Sequence, residues 1–574
     1  MSLKSVWPII IFTAIGFIIF SNGLKGDFVY DDQTVLSHSY FENFSQTLNF
    51  FSQPYFEDFT KAGLYRPLTQ ISFAFNFLFS RSPFGFHLFN LTLHIANSIL
   101  AFFVLRRLTN SSQISFVAGL LFLVLPIHVE AVTSIVGRAE LLVFLFSLLT
   151  ILFWLRDRAL ISAIMFLLAL LSKETAVVLP MILLLFSLSH SFKKKWWWYF
   201  GTVLGIYFAV RMGILGEYAF SAKPEFIFNP LAYTPFFERL FTALKILAIY
   251  IKNIFIPINL SPDYSFNQIP GVKNIFSSAW ALVGLGILAA IIWPMVRYLR
   301  NRQLNPLVLA SILFFFPYFL ISNLVFPIGT IMGDRLMYLP SLGALLALSF
   351  ILNKLIRGRE RLFYAIIGIV VVFYGWQTFQ QNIVWQTQEK LFTTMYERSP
   401  KSVAAKTNYG IMKLGSDPEL ARSLASSVYE EYPDYIQNLN LMAAISVMDK
   451  RFEEAAKFLE RALGFRPYHQ NTLHNLSRVY ATLGRYDQAE KSLSVLASRY
   501  GGEGNVIFYT VALCQNGKFD LAIQIIQQYF GLNTSNDSAI AVLEYAELSM
   551  AGRTLNREIT SEFTRLSDSF LFSK

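Results

Sequence analysis

Apolar runs of roughly membrane-crossing length follow one another from residue 6 to residue 380. They lie near 6-24, 86-105, 113-131, 139-155, 159-172, 174-190, 196-216, 276-296, 306-326, 336-353 and 362-380. A helix needs about 20 mostly apolar residues to cross a bilayer, so residues 1-380 are predicted to form an all-α, polytopic transmembrane bundle of eleven spans. Only 15% of the 574 residues are charged and 54% are hydrophobic, whereas soluble domains carry about 25% charged residues. The net charge of +11 does not indicate nucleic acid, because Lys and Arg occur in small clusters between apolar runs and no basic recognition module is present. The run Val6 to Phe20 is followed by Ser21-Asn22-Gly23, a poor cleavage site, and by many further spans, so it is read as a retained anchor.

The basic clusters set the topology. Arg106-Arg107, Arg156 with Arg158, Lys193-Lys194-Lys195, Arg297 with Arg300 and Arg302, and Lys354 with Arg357, Arg359 and Arg361 are expected on the cytoplasmic side, together with Lys4. Lys195 and Arg297 are then separated by an even number of crossings, although three apolar stretches, 196-216, 236-257 and 276-296, lie between them. The middle one carries Glu238, Lys245 and Lys252 at seven-residue spacing, a polar stripe along one helical face. It is expected to lie at the outer interface or fold back into a cavity, and everything after Gln380 falls outside.

On this topology the charged loops gather on the outer side. They are the first outer loop, 25-85, with Asp31 and Asp32; the turn holding His128, Glu130, Arg138 and Glu140; the tight turn Lys173-Glu174; Asp263-Tyr264; and Asp334-Arg335. A one-sided set of acids, bases and a histidine at the mouths of spans suggests an outward active site. Solvated turn residues are the competing explanation for any single member. Within the loop, residues 71-79 are apolar but too short to span, and are expected as an interfacial helix started by Pro67.

After Gln381 the apolar runs break up. Ala421, Ala455, Ala489 and Ala522 are spaced 34, 34 and 33 residues apart, the period of tetratricopeptide repeats. Phe452, Tyr486 and Phe519 each stand three residues before an alanine, so the ring fills the gap that the alanine leaves between close helices. Residues 381-400 are expected as a linker and 401-574 as a repeat α-solenoid, whose surface suits a peptide or a partner protein. The lone cysteine, Cys514, excludes a disulfide framework within the chain and a multi-cysteine metal site.

The ordered motifs Phe28-Val29-Tyr30-Asp31-Asp32, Tyr65-Arg66-Pro67-Leu68-Thr69, Pro126-Ile127-His128-Val129-Glu130, Gly137-Arg138-Ala139-Glu140, Ser172-Lys173-Glu174-Thr175, Ser261-Pro262-Asp263-Tyr264-Ser265 and Asp334-Arg335-Leu336-Met337-Tyr338, followed by repeats, resemble the transmembrane and tetratricopeptide repeat-containing O-mannosyltransferases and their bacterial relatives. The resemblance covers nearly the whole chain. It implies a GT-C glycosyltransferase fold, a polyprenyl-phosphate-linked sugar as donor, a protein or glycan acceptor, and a catalytic acid in the first outer loop. On that family pattern Asp31 is expected as the base, with Asp32 orienting the acceptor or a neighbouring cation.

Transfer from a lipid phosphate needs a base for the acceptor hydroxyl and cations for the departing phosphate. A phosphate leaves as a stable anion, so one basic carboxylate suffices where glycosidases use an acid and base pair. Arg66, Arg138, Lys173 and Arg335 are candidates for the phosphate, with Lys245 and Lys252 a second possibility and a turn or topology role the alternative for each. His128, Glu130, Glu140, Glu174, Asp263, Tyr264 and Asp334 complete the set of site candidates. No cofactor is required; a divalent cation shared by Asp31 and Asp32 with Glu130 or His128 is compatible with the residues, although His128 reads better as a hydrogen-bonded turn residue. The expected setting is a bacterial inner membrane with periplasmic repeats, the endoplasmic reticulum with lumenal repeats being the alternative. An O-antigen ligase or polymerase would place its catalytic loop late among the spans, whereas the long acidic loop here follows the first. A scaffold that recruits partners through the repeats needs fewer spans than eleven.

Overall fold

The computed structural model describes residues 3–36, 44–55, 63–189, 196–221, 223–324, 326–531, 535–551 and 557–570. The basic cluster Lys193-Lys194-Lys195 and parts of the first outer loop lie outside the described residues. All regular structure among the described residues is helical, and the chain divides into two compact units, Met1–Ala405 and Lys406–Lys574.

The first unit contains α1 (Leu3–Phe20), α2 (Asp31–Leu36), α3 (Pro67–Phe79), α4 (Pro83–Thr109), α5 (Ser112–Val124), α6 (Val129–Val132), α7 (Arg138–Trp154), α8 (Ala159–Ser172) and α9 (Leu179–Ser187). It continues with α10 (Trp197–Leu215), α11 (Tyr218–Ser221), α12 (Phe236–Phe255), α13 (Ala279–Asn301), α14 (Pro306–Ile321), α15 (Tyr338–Leu355), α16 (Glu360–Val384) and α17 (Gln388–Arg398). Local chemistry sets many of the ends. Pro67, Pro83 and Pro306 open their helices at the first turn, where a missing N–H costs nothing. Asn305 caps the amides of Leu307 and Val308, and Ser278 caps that of Ala281. Asn110 and Arg302 close α4 and α13 in the left-handed conformation, at the basic clusters that end those helices.

Among the described residues six helices are long and apolar enough to cross a membrane: Pro83–Thr109, Ile135–Trp154, Trp197–Leu215, Ala279–Asn301, Asp334–Leu355 and Glu360–Val384. Ser112–Val124 and Pro126–Val132 form a pair bent by 52° that adds a seventh, and Val6–Phe20, Ala159–Ser172, Glu174–Ser187 and Pro306–Ile321 are shorter apolar helices. Each of the eleven predicted runs falls on one of these elements. The helix α12, expected to be interfacial, is not among them; Ala243, Leu244, Leu247, Tyr250 and Ile254 bury one of its faces, while Phe236 and Phe237 are exposed at its start.

That buried face meets α13 almost backbone to backbone. A Cβ on Gly284 would stand 1.9 Å from the Leu244 carbonyl oxygen, and on Gly343 of α15 2.5 Å from that of Ala310 in α14. Glycine at such crossings lets membrane helices approach closely. Gly284→Ala is therefore expected to force α12 and α13 apart and destabilise the protein by about 3 kcal/mol, seen as a lowered melting temperature in detergent; an unchanged value would show that the crossing relaxes freely.

The stretch 381–400, expected as a linker, belongs to the first unit instead. α16 runs to Val384, and α17 buries Leu391, Phe392 and Met395. These apolar residues are too closely spaced for a solvated linker, and burying them outweighs the freedom a linker would keep.

The repeat unit consists of five helix pairs among the described residues: α18 (Val403–Lys413) with α19 (Pro418–Glu431), α20 (Ile436–Met448) with α21 (Phe452–Phe465), α22 (Gln470–Thr482) with α23 (Tyr486–Tyr500), α24 (Glu503–Gln515) with α25 (Phe519–Phe530), and α26 (Asp537–Met550) with α27 (Arg557–Phe570). Ala421, Ala455, Ala489 and Ala522 are fully buried, and Phe452, Tyr486 and Phe519 pack against the same cores. The fifth pair carries no equivalent alanine signature.

Candidate active site

The acidic loop leaves α1 under tight control. The Asn22 amide donates to the Phe379 carbonyl at 2.8 Å and accepts from Asn382 at 3.1 Å, and the backbone N–H of Asp27 donates to the Gln386 carbonyl at 2.8 Å. Asp31 and Asp32 then open α2, and neighbouring helical positions point in different directions. Asp32 points inward, with 0% exposure; its carboxylate accepts from the amides of Val136 at 2.9 Å and Val29 at 3.4 Å. Asp31 points outward, with 46% of its side chain exposed, 3.8 Å from the Arg335 guanidinium.

These surroundings separate the two acids chemically. Burial raises the Asp32 carboxyl to about 7 against the opposing amides of Val136, Ile135 and Val29, and the charge of Asp31 adds to the rise. Asp31 is also raised by the protein around it and pulled back by Arg335, and its exposure moderates the first effect.

Folding thus makes Asp32 hold its proton more tightly than the unfolded chain does. Between about pH 4 and about pH 7 the native state binds one more proton than the unfolded state, so stability declines as pH rises through that window and is level above it. Asp32→Asn cannot titrate. Its melting temperature is expected to gain on the wild type by a few degrees as pH is raised from 5 to 8; a constant difference would show that Asp32 is ionised in the fold throughout.

Arg335 is shared between two acids. Its guanidinium lies 3.2 Å from Glu130, and its backbone N–H donates to the other Glu130 oxygen at 2.9 Å. Glu130 is buried and therefore fixes Arg335 from below, leaving the Asp31 side open. The preceding residue, Asp334, turns away toward the Tyr264 hydroxyl at 3.2 Å and the Asn253 amide at 3.5 Å.

A second pair of ion pairs lies alongside. The extended backbone at Lys173 (φ −160°, ψ 140°) sends neighbouring side chains to opposite sides. Lys173 pairs with Glu140, both buried, and Glu174 accepts two hydrogen bonds from Arg66 at 2.6 and 3.0 Å. Such a fork is the geometry that guanidinium and carboxylate favour. Burial alone would lower the Arg66 guanidinium, but Glu174 outweighs it and raises it. Tyr55 lies beneath Arg66 at 5.5 Å from its ring centre; burial pushes its hydroxyl up to about 12, while Arg66 pulls it down. Tyr55 also feels Asp31 and Arg335, and Arg335 feels Glu140, so the two ion-pair groups act on one another electrostatically.

Several expected members have other employment. Arg138 is fully buried, hydrogen-bonded to Asn90 (2.7 Å), Asn76 (2.9 Å) and the carbonyls of Ser72 and Phe86, and packed against the rings of Phe73, Phe86 and Phe89. It is a structural clamp, because these partners already occupy its guanidinium. His128 is buried between the Phe122 carbonyl and the Ser341 hydroxyl, as a turn residue would be. Asp263 holds Ser265 and Ser402. Lys245 donates to the Pro270 carbonyl, and Lys252 to the carbonyl of Ile258 and the side chain of Asn253. Among the described residues no group of three or more His, Cys, Asp or Glu side chains is arranged to hold a metal ion. The trio of Asp31, Asp32 and Glu130 does not converge, since Asp32 is turned to backbone amides. Tyr55 had no sequence signal beyond its place in the first outer loop, and the Asn76 and Asn90 supports of Arg138 were visible only as amides in apolar helices.

A family model for glycosyltransferase family 87 matches residues 64–323, and a tetratricopeptide-repeat model matches residues 446–506. Curated relatives are named protein O-mannosyl-transferases. One from Caenorhabditis elegans is 26% identical over 433 residues, covering 73% of this chain and 61% of its own. Human TMTC3 is 25% identical over 486 residues, covering 76% and 48%, and Xenopus laevis tmtc2 is 27% identical over 500 residues, covering 68% and 58%. The chain spans about half to three fifths of the length of these relatives. Among solved structures, the crystal structure of yeast Tom70 aligns with 81% of this chain and 96% of its own at 13% identity, with a TM-score of 0.24. A likeness of that grade says nothing about the fold.

These findings define a class: a multi-pass, all-α membrane protein that joins a glycosyltransferase family 87 region to tetratricopeptide repeats. Within that class, the relatives this chain resembles are the protein O-mannosyl-transferases, at 25–27% identity.

Proposed function

We propose that this chain is a membrane glycosyltransferase that moves a sugar, mannose by its family likeness, from a polyprenyl-phosphate donor to a Ser or Thr hydroxyl of a protein. The observation that carries the reading is the split of the acidic pair. Asp31 is open to a substrate and 3.8 Å from a guanidinium, while Asp32 is buried as its anchor. In the reaction, Asp31 takes the proton of the acceptor hydroxyl as its oxygen attacks the anomeric carbon. The bond from that carbon to the phosphate oxygen breaks, and the lipid phosphate leaves with the electron pair. Arg335 and Arg66 are the cations best placed to offset its charge, with Lys173 behind them.

The active face is outer, periplasmic in a bacterial inner membrane or lumenal in the endoplasmic reticulum, and the repeats engage the acceptor. A late-loop ligase or a scaffold fits less well, because the charged surface is built around the loop that follows the first span. The test is sugar transfer by the purified full-length protein in lipid nanodiscs, with radiolabelled polyprenyl-phosphate mannose and Ser/Thr-containing acceptor peptides. Transfer to a Ser or Thr side chain is expected; absence of transfer from any polyprenyl-phosphate sugar would overturn the reading.

A further inference from the structure

Tyr30, the residue before Asp31, has φ 51°, in the left-handed region that an aromatic residue rarely adopts. Such a backbone persists only where its surroundings over-determine it. Two contacts come from the segment that follows the bundle. The Gln386 carbonyl accepts the Asp27 N–H at 2.8 Å, and the buried Phe392 ring of α17 meets the Tyr30 ring edge-on, with centres 6.0 Å apart and planes at 88°. Gln386 is itself fixed, its side chain donating to the Asn22 carbonyl at 2.8 Å and accepting from Lys390 at 2.9 Å. On the other side of Asp31, Asp32 is moored to Val136 and Val29. Asp31 is therefore the open residue between two fastened neighbours.

We infer that α17 is a positioning element for Asp31, and that Phe392 is a positioning residue acting through Tyr30. The inference rests on the reading of Asp31 as the base. Removing the ring of Phe392 takes away one of the contacts that hold Tyr30 at positive φ, and a shift of that backbone bond re-aims the helix start that presents the Asp31 carboxylate. Misplacement of a reacting group by about 1 Å lowers rates by about 100-fold.

The experiment uses the full-length protein in nanodiscs. Phe392→Ala is expected to lower kcat at least about 10-fold with the donor KM within about twofold, and Phe392→Tyr to restore the wild-type rate. Phe392→Leu keeps bulk without a ring, stands in if the alanine variant fails to fold, and is expected to lower kcat in the same way. A second readout needs no catalysis. In an Asp31→Cys, Cys514→Ser background, alkylation of the introduced thiol by a charged maleimide is expected to quicken at least about threefold on adding Phe392→Ala or Phe392→Leu. A wild-type kcat together with an unchanged alkylation rate would overturn the inference. Faster alkylation in a protein whose wild type transfers no sugar would support the brace and count against the proposed function.

Discussion

Asp31→Asn in the nanodisc-embedded protein is expected to lower kcat for sugar transfer by at least about 100-fold while donor KM changes little, because a positioned general base contributes about 10² to 10⁴ in rate. The amide keeps the shape of the side chain and loses its capacity to take a proton. Asp32→Asn is expected to be milder, since an amide oxygen can still accept from Val136 and the neighbour that reacts is intact. Reversal of that order, with Asp32→Asn the more damaging for kcat at equal stability, would transfer the base to Asp32. Its burial makes that outcome hard to reconcile with the geometry, because a fully enclosed carboxylate must first be uncovered before a hydroxyl can reach it.

The second large effect concerns Arg138. Arg138→Met is expected to destabilise the protein by about 3 to 5 kcal/mol, because four acceptors around it lose their donor at once and each unsatisfied buried group costs about 1 to 3 kcal/mol. Asn90 and Asn76 would each lose an acceptor's partner, as would the carbonyls of Ser72 and Phe86. Asn90 also donates to the carbonyls of Val132, Ser134 and Ile135, the turn whose next residue supplies an amide to Asp32. Damage at Arg138 thus reaches the acidic pair through two steps. Lysine is not a remedy, since a single ammonium cannot reproduce the planar fork. Thermal unfolding and size exclusion in detergent check the expectation. A variant that melts like the wild type yet no longer binds donor would restore Arg138 to the phosphate-binding role that its sequence context suggested.

The architecture was largely legible because it is written in long-range periodicity. Eleven apolar runs were visible in the sequence, although among the described residues only seven of the elements they fall on, counting the bent pair as one, have the length and apolarity of a span; the repeats needed only the 34-residue spacing of four buried alanines. The parity of basic clusters singled out 236-257, and α12 indeed fails to combine the apolarity and length of a span. The site was legible only as a set. Residues Asp31, Arg66, Glu130, Glu140, Lys173, Glu174 and Arg335 do come together, but a sequence cannot say which cation faces a carboxylate, which faces an amide and which is free to meet substrate. Arg138 and Arg66 look alike in the chain, each following the first residue of a short motif. What separates them is three-dimensional: four hydrogen-bond partners and three rings around one, a carboxylate and the ring of Tyr55 around the other. The brace on Tyr30 was illegible for a related reason, since 381-400 has the mixed composition of a linker and its contacts reach back more than 350 residues.

One feature of the charged surface bears on how a substrate enters it. Arg66, Lys173 and Arg335 face Glu174, Glu140, Glu130 and Asp31, three cations against four carboxylates, and each cation already has a partner. A lipid phosphate brings another negative charge to a place where, among the described residues, these three cations are already paired. Its arrival is therefore an exchange of counterions, in which a carboxylate is set aside or takes up a proton as the phosphate claims its guanidinium. For Arg335 the carboxylate set aside is Asp31, the more exposed of its two partners, so on the proposed reading the step that seats the donor is also the step that frees the base.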